Sequence, residues 1–286
     1  MEKRTILWDL GTAYDLFASL TVLHQPDRFG LRASWAAGVR SRLPAPHRQV
    51  LEDAHELFAV PLAWLYGLPA PKDAATALHA LVQMPATQRL PALALAPDAA
   101  PEVAQILRSV YEQRAWDDVA LDSLRAAYQH RSRPVRPRTL VNILECWSRP
   151  DEFGERYLAA MQAYQAVFFN EEERRIAPVL AAAQEDARRQ AEKLAFPQLV
   201  EFLSQGVQIA SLSEAAQVVL APSYWTTPLV IFGHVSPDTM LMLFGGRPAD
   251  MPLVPGEMIP DAMLRALKAL SDPTRLRILR YLADQP

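Results

Sequence analysis

Cysteine is almost missing from this chain. Cys146 stands alone among 286 residues, so no internal disulfide can form and no four-thiolate zinc cage can be built. A reducing, cytoplasmic setting is the expectation. Glycine is scarce as well, ten residues against 24 prolines, which leaves few tight hairpins and many helix ends marked by a residue without an amide hydrogen. No charge of one sign dominates. Lys and Arg number 29 and Asp and Glu 32, a net of −3, so the chain as a whole does not attract nucleic acid or an anionic membrane, and any DNA contact has to be local. No stretch approaches the roughly 20 apolar residues that span a bilayer. The basic start at Met1 to Arg4 does not open a signal peptide, because Asp9 and Asp15 interrupt the apolar run that would follow.

Sequence signatures of catalysis are missing too. There is no nucleophile elbow, phosphate-binding glycine loop, zinc-protease helix or Cys/His pairing. The histidines at 24, 47, 55, 79, 130 and 234 include no pair four residues apart. No catalytic residue, metal or cofactor is therefore assigned, and the chain is not expected to be an enzyme. Asp117 with Asp118, and Asp9 with Asp15, read as helix-start and surface acids.

What is present is helix-forming. Half of the residues are hydrophobic, enough for a sizeable core, and Ala, Leu, Arg, Glu and Gln fill the segments between prolines. Periodicity predicts an amphipathic helix from Asp9 to His24, a second around Leu31, Trp35 and Val39, and a third over about 47–58. Others follow over 74–84, 101–113, 119–129 and 138–148. The span 151–208 is expected to break into two or three helices at Pro178 and Pro197, with Glu171 and Arg175 pairing on a solvated face. Trp8, Trp35, Trp64, Trp116 and Trp147 read as core anchors. The basic run Arg125, His130, Arg131, Arg133, Arg136 and Arg138 reads as a solvated loop, or else as one that touches DNA or an anionic effector.

After Ser213 the texture changes. Short apolar runs at 218–220, 229–232 and 240–244, with a turn at Ser236, Pro237 and Asp238, predict a small antiparallel sheet near 215–245. Tyr224 and Trp225 fall between two of these strands. They are the candidate ligand residues, as the floor of a pocket, or else they pack at a dimer seam or in the core. The fold class is thus mainly α: a helical accessory or sensor domain over 1–250 that includes the sheet, then a linker over 251–260 and a C-terminal segment over 261–286.

That last segment is the most informative. Met263, Leu264, Leu267 and Leu270 form one apolar stripe, and Leu276, Leu279 and Leu282 form the next. Between them Ser271 and Asp272 are N-cap types, and Pro273 takes the first helical position, where its missing amide costs nothing. The string Leu267-Lys-Ala-Leu-Ser-Asp-Pro-Thr-Arg-Leu-Arg-Ile-Leu-Arg-Tyr-Leu282 resembles the opening of ArsR-type winged-helix regulators, over less than a tenth of the chain. Tyr14 to Leu20, with Trp35 following, is similar in pattern to the helical domain that precedes the ArsR module in some longer bacterial regulators.

The resemblance implies a cytoplasmic, homodimeric, DNA-binding bacterial transcription regulator whose long N-terminal domain senses a small-molecule effector or assembles the dimer. Met263, Leu264 and Leu267 would then face a partner subunit at the dimer seam, or the N-terminal domain. Lys268, Arg275, Arg277 and Arg280 would contact phosphates, or else solvate the outer face of a helical hairpin. The DNA-reading helix and the wing would come after Pro286 and are missing from this chain. The competing reading is a ligand-binding or protein-interaction module that does not touch DNA; a third is an enzyme with an unrecognised site.

Overall fold

Residues 5–129, 135–248 and 251 are described by the computed structural model. The chain divides into one unit over Met1–Gly246 and a second over Arg247–Pro286. Apart from Met251, the expected linker over 251–260 lies outside the described residues. So does the whole segment 261–286, with Lys268, Arg275, Arg277 and Arg280 and with Met263, Leu264 and Leu267.

Strand β1 (Thr5–Trp8) leads into α1 (Thr12–His24), a 3₁₀ turn (Pro26–Phe29), α2 (Ala33–Ser41), α3 (Ala45–Leu57), α4 (Leu62–Tyr66) and α5 (Ala74–Gln83). Next come α6 (Ala86–Ala94), α7 (Pro101–Gln113), α8 (Asp118–Tyr128) and α9 (Pro137–Ser148). Helix α10 (Pro150–Tyr164) passes through a π-helical turn (Gln165–Phe169) into α11 (Asn170–Ala191). After α12 (Phe196–Leu203) and α13 (Ala210–Glu214) the unit closes with β2 (Gln217–Ser223), β3 (Ile231–Ser236) and β4 (Thr239–Gly245). The architecture is mainly helical with a small mixed sheet.

Prolines occupy the first turn of α3, α7, α9, α10 and α12, where the helix has no partner for their missing N–H. Pro178 departs from this rule. It sits inside α11 without ending it, because Ile176 and Leu180 on either side are fully buried and their packing outweighs one lost backbone bond. Helix α1 also departs from expectation. Eleven of its 13 residues are buried, Asp15 and Ser19 among them, so it is a central helix covered all round rather than an amphipathic one.

The sheet order is β1-β2-β4-β3, with β1–β2 and β2–β4 parallel and only β3–β4 antiparallel. This corrects the antiparallel sheet expected from the sequence. The chain reverses into β3 at the edge and reverses again through the turn after Ser236, so β4 returns in the direction of β2 and lies beside it. Strands β2 and β4 are buried on both faces, which suits their unbroken apolar runs. On one face they pack with Ala187, Leu199, Val200, Leu203 and Leu212 in a single cluster.

Helices α6 and α10 approach closely at Gly154, where a Cβ would lie 2.1 Å from the Ala86 carbonyl oxygen. Buried Arg89 brackets the same contact, its Nε donating to Leu81 O at 2.9 Å and its Nη1 to Gly154 O at 3.0 Å. Replacing Gly154 by Ala is expected to destabilise the protein by about 1–3 kcal/mol through overpacking. Gly38, with nothing within 4 Å of its added Cβ, lies inside α2, and Gly38→Ala is expected to stabilise by about 0.5–1 kcal/mol. Urea unfolding of the two variants measures both; equal effects would contradict the close α6–α10 approach.

Candidate functional site

Tyr224 and Trp225 are fully buried. They follow β2 and are held from below by Asp15 in the first turn of α1. The Asp15 Oδ1 accepts from Ser223 Oγ at 2.7 Å and from the Trp225 amide at 2.9 Å. Burial pushes the Asp15 carboxyl up from 3.8 to about 6, against the pull of these bonds and one from the Tyr224 amide. The second oxygen, Oδ2, and the Trp225 indole Nε1 have no hydrogen-bond partner among the described residues.

Above this clamp the Trp225 ring stacks on Trp35, centroids 5.5 Å apart, and meets the edge of Phe168 at 5.7 Å. Phe168 is presented by the π-helical turn. Arg175 donates to the Tyr224 hydroxyl at 2.7 Å, lies 4.5 Å over its ring, and pairs with Glu172. The expected Glu171–Arg175 pair on a solvated face is thus replaced by a half-buried Glu172–Arg175–Tyr224 chain, three residues apart on the helix and turned inward.

Asp9 and Asp15 are not surface acids. Tyr14 and Lys72 both donate to Asp9 Oδ2 at 2.5 Å. Glu173 Oε1 accepts from the Thr12 hydroxyl at 2.5 Å and the Ala74 amide at 2.8 Å. Gly11 is required here, since a Cβ would fall 2.4 Å from Lys72. These contacts fill the N-terminal end of α1 with protein. Asp117, as expected, caps a helix, accepting from the Ala120 amide at 2.9 Å.

The open space lies elsewhere. A cavity of about 610 Å³ is walled by the ends of α3, α6 and α8, by α4, the start of α7, α9 and strand β3. Phe58, Trp64, Tyr128, Trp147 and Phe232 give it aromatic walls, while Glu56, Asp98 and Glu102 are its carboxylates and His234 its imidazole among the described residues. Its size falls within the roughly 300–1,000 Å³ of small-molecule sites. Tyr224 and Trp225 do not line it. Of the five tryptophans expected as core anchors, Trp147 is fully buried, and Trp8, Trp35, Trp64 and Trp116 are half-buried.

A smaller cavity of about 20 Å³ shares Phe58, Ala59 and Val60 with the large one and is bounded by His55. That imidazole stacks on His24, ring centroids 4.9 Å apart and planes 15° from parallel, a pairing that spacing along the chain does not reveal. Arg28 donates to Gln25 Oε1 at 2.7 Å, which turns the Gln25 amide nitrogen toward His55 Nε2 at 2.9 Å and makes that ring nitrogen an acceptor. His24 Nδ1 donates to Leu20 O at 2.8 Å. Burial lowers the affinity of both rings for a proton, to about 4 for His55. No group of three potential metal ligands occurs among the described residues, and no helix among them is long and apolar enough to cross a membrane.

Asp15 and His55 respond to pH with opposite signs. Between pH 3.8 and about 6 the unfolded chain releases a proton that folded Asp15 keeps, so stability falls as pH rises through this window, by on the order of 3 kcal/mol. Between pH 6.5 and about 4 the unfolded chain binds a proton that folded His55 refuses, so stability falls as pH drops. In urea unfolding, Asp15→Asn is expected to match the parent near pH 4 and exceed it near pH 7.5, whereas His55→Gln flattens the acid side. A parent slope that survives Asp15→Asn unchanged would remove the buried ionisation.

Comparison with protein-family models, with curated proteins and with solved structures gives no match to this chain.

Proposed function

We propose that the chain is the effector-binding portion of a bacterial DNA-binding transcription regulator of the ArsR type, acting in the cytoplasm as a homodimer. The single observation that carries the sensing half is the cavity of about 610 Å³ with its aromatic walls. The DNA-binding half rests on the resemblance of Leu267 to Leu282 to the start of an ArsR-type module.

Chain connectivity supplies a route between the two functions. Strand β3 contributes Ile231, Phe232, Gly233 and His234 to the cavity wall. It is hydrogen-bonded to β4 from Ile231↔Leu243 to Ser236↔Thr239, and β4 runs into the unit that begins at Arg247. A ligand that favours one placement of β3 therefore acts on the strand from which the C-terminal unit hangs. It shifts the regulator between states by its difference in affinity for them.

Two measurements test this reading. The gene read past codon 286 is expected to encode a recognition helix and a wing within roughly 60 residues. Its full-length product is expected to protect DNA near its own promoter and to sediment as a dimer at micromolar concentration. A reading frame without those elements, or a product that protects no DNA, would leave the competing reading: a ligand-binding or protein-interaction module.

A further inference from the structure

We infer that the cavity bounded by β3 selects a lipophilic organic cation; this rests on the cavity's being the effector site. Three helices bring their C-terminal turns to its wall: α3 through Glu56 and Leu57, α6 through Ala92 to Ala94, and α8 through Ala127 and Tyr128. The last carbonyls of a helix lack intrahelical partners and together carry about half a negative charge. Among the helix N-termini near the wall, that of α9, beside Val135, is matched by the last turn of the same helix at Trp147, and those of α4 and α7 do not offset the sign. Helix α4 is a single turn of five residues, and α7 carries Glu102 in its own first turn.

The side chains add to the same sign. Glu56, Asp98 and Glu102 are exposed on the lining, and no Lys or Arg lines it among the described residues. Arg136 and Arg138, next to Val135 in the chain, are exposed and outside the lining, and His130, Arg131 and Arg133 lie outside the described residues. His234, on β3, is the one imidazole of the wall among the described residues. The aromatic walls suit a cation as well, because the ring faces of Trp64, Tyr128 and Trp147 attract positive charge within about 6 Å. An apolar body between aromatic rings, with its charge toward the acidic mouth, meets both demands.

Tetraphenylphosphonium and tetraphenylborate have nearly the same shape and opposite charge, and titration calorimetry of each against this chain isolates the sign. The phosphonium is expected to bind at least about tenfold tighter than the borate. The paired substitution Asp98→Asn and Glu102→Gln, both at exposed positions, is expected to remove most of that preference, and high salt to narrow it. Gly233→Leu, which projects a side chain from β3, is expected to abolish binding of the phosphonium. Equal or tighter binding of the borate that Gly233→Leu abolishes overturns the cation preference and leaves the effector cavity standing. Binding that persists unchanged in Gly233→Leu places the probe elsewhere and overturns the proposal. If neither ion binds, the effector-site reading falls and takes the inference with it.

Discussion

One carboxylate ties the beginning of the large unit to its end. Asp15, on the first turn of α1, is closed off from solvent and grips Ser223 and Trp225, 208 and 210 residues further on. Placing an acid there raises its pKa, and an apolar residue would avoid that cost. An apolar residue would also leave the turn after β2 without acceptors for the Ser223 hydroxyl and the Trp225 amide, and buried donors without partners are themselves expensive. With the turn fixed, Tyr224 meets Arg175 and Trp225 meets Trp35 and Phe168. Helices α2 and α11 and the π-helical turn are thereby brought to one place. The central helix, the sheet and the long α10–α11 rod share this joint.

The helices were largely legible because their ends carry local chemistry. Segment 101–113 is the same in sequence and structure, and α8 and α9 begin within a residue of expectation, at an Asp cap and at a Pro. Helices α4 and α13 span only five residues each, too short to build a period. Pro178 misled because an isolated proline tells of the bond it removes but not of the packing on either side. The sheet was partly legible. The turn after Ser236 marks the β3–β4 hairpin, whereas short apolar runs separated by turns do not by themselves distinguish the parallel, doubly covered position of β2 and β4 from an antiparallel one. Four-residue β1 gave no periodic signal at all.

The site was far less legible than the fold. Tyr224 and Trp225 stand out between two strands, yet they belong to a filled joint. The cavity is assembled from residues between Glu56 and His234, and no run of sequence encodes a space whose walls come from so many elements. The stacked His24 and His55 are 31 positions apart on two helices, beyond any spacing rule for one helix. Glu172 rather than Glu171 meets Arg175, on the inward side of α11 where the guanidinium also reaches the Tyr224 hydroxyl. The string Leu267 to Leu282, by contrast, is a continuous run of sequence that lies outside the described residues.

Strand β1 has a consequence for how the protein comes into being. It precedes every other described element, and its strand partner among the described residues, β2, starts at Gln217. Until β2 has been made, the nascent polypeptide therefore carries an unsatisfied ribbon at β1, and the pair can close only after Gln217–Ser223 have followed. Topologies that pair strands far apart in sequence fold slowly and expose aggregation-prone surface while they wait. A shortened version beginning after Trp8 would instead leave the flank of β2 bare for good, an open template for pairing between molecules.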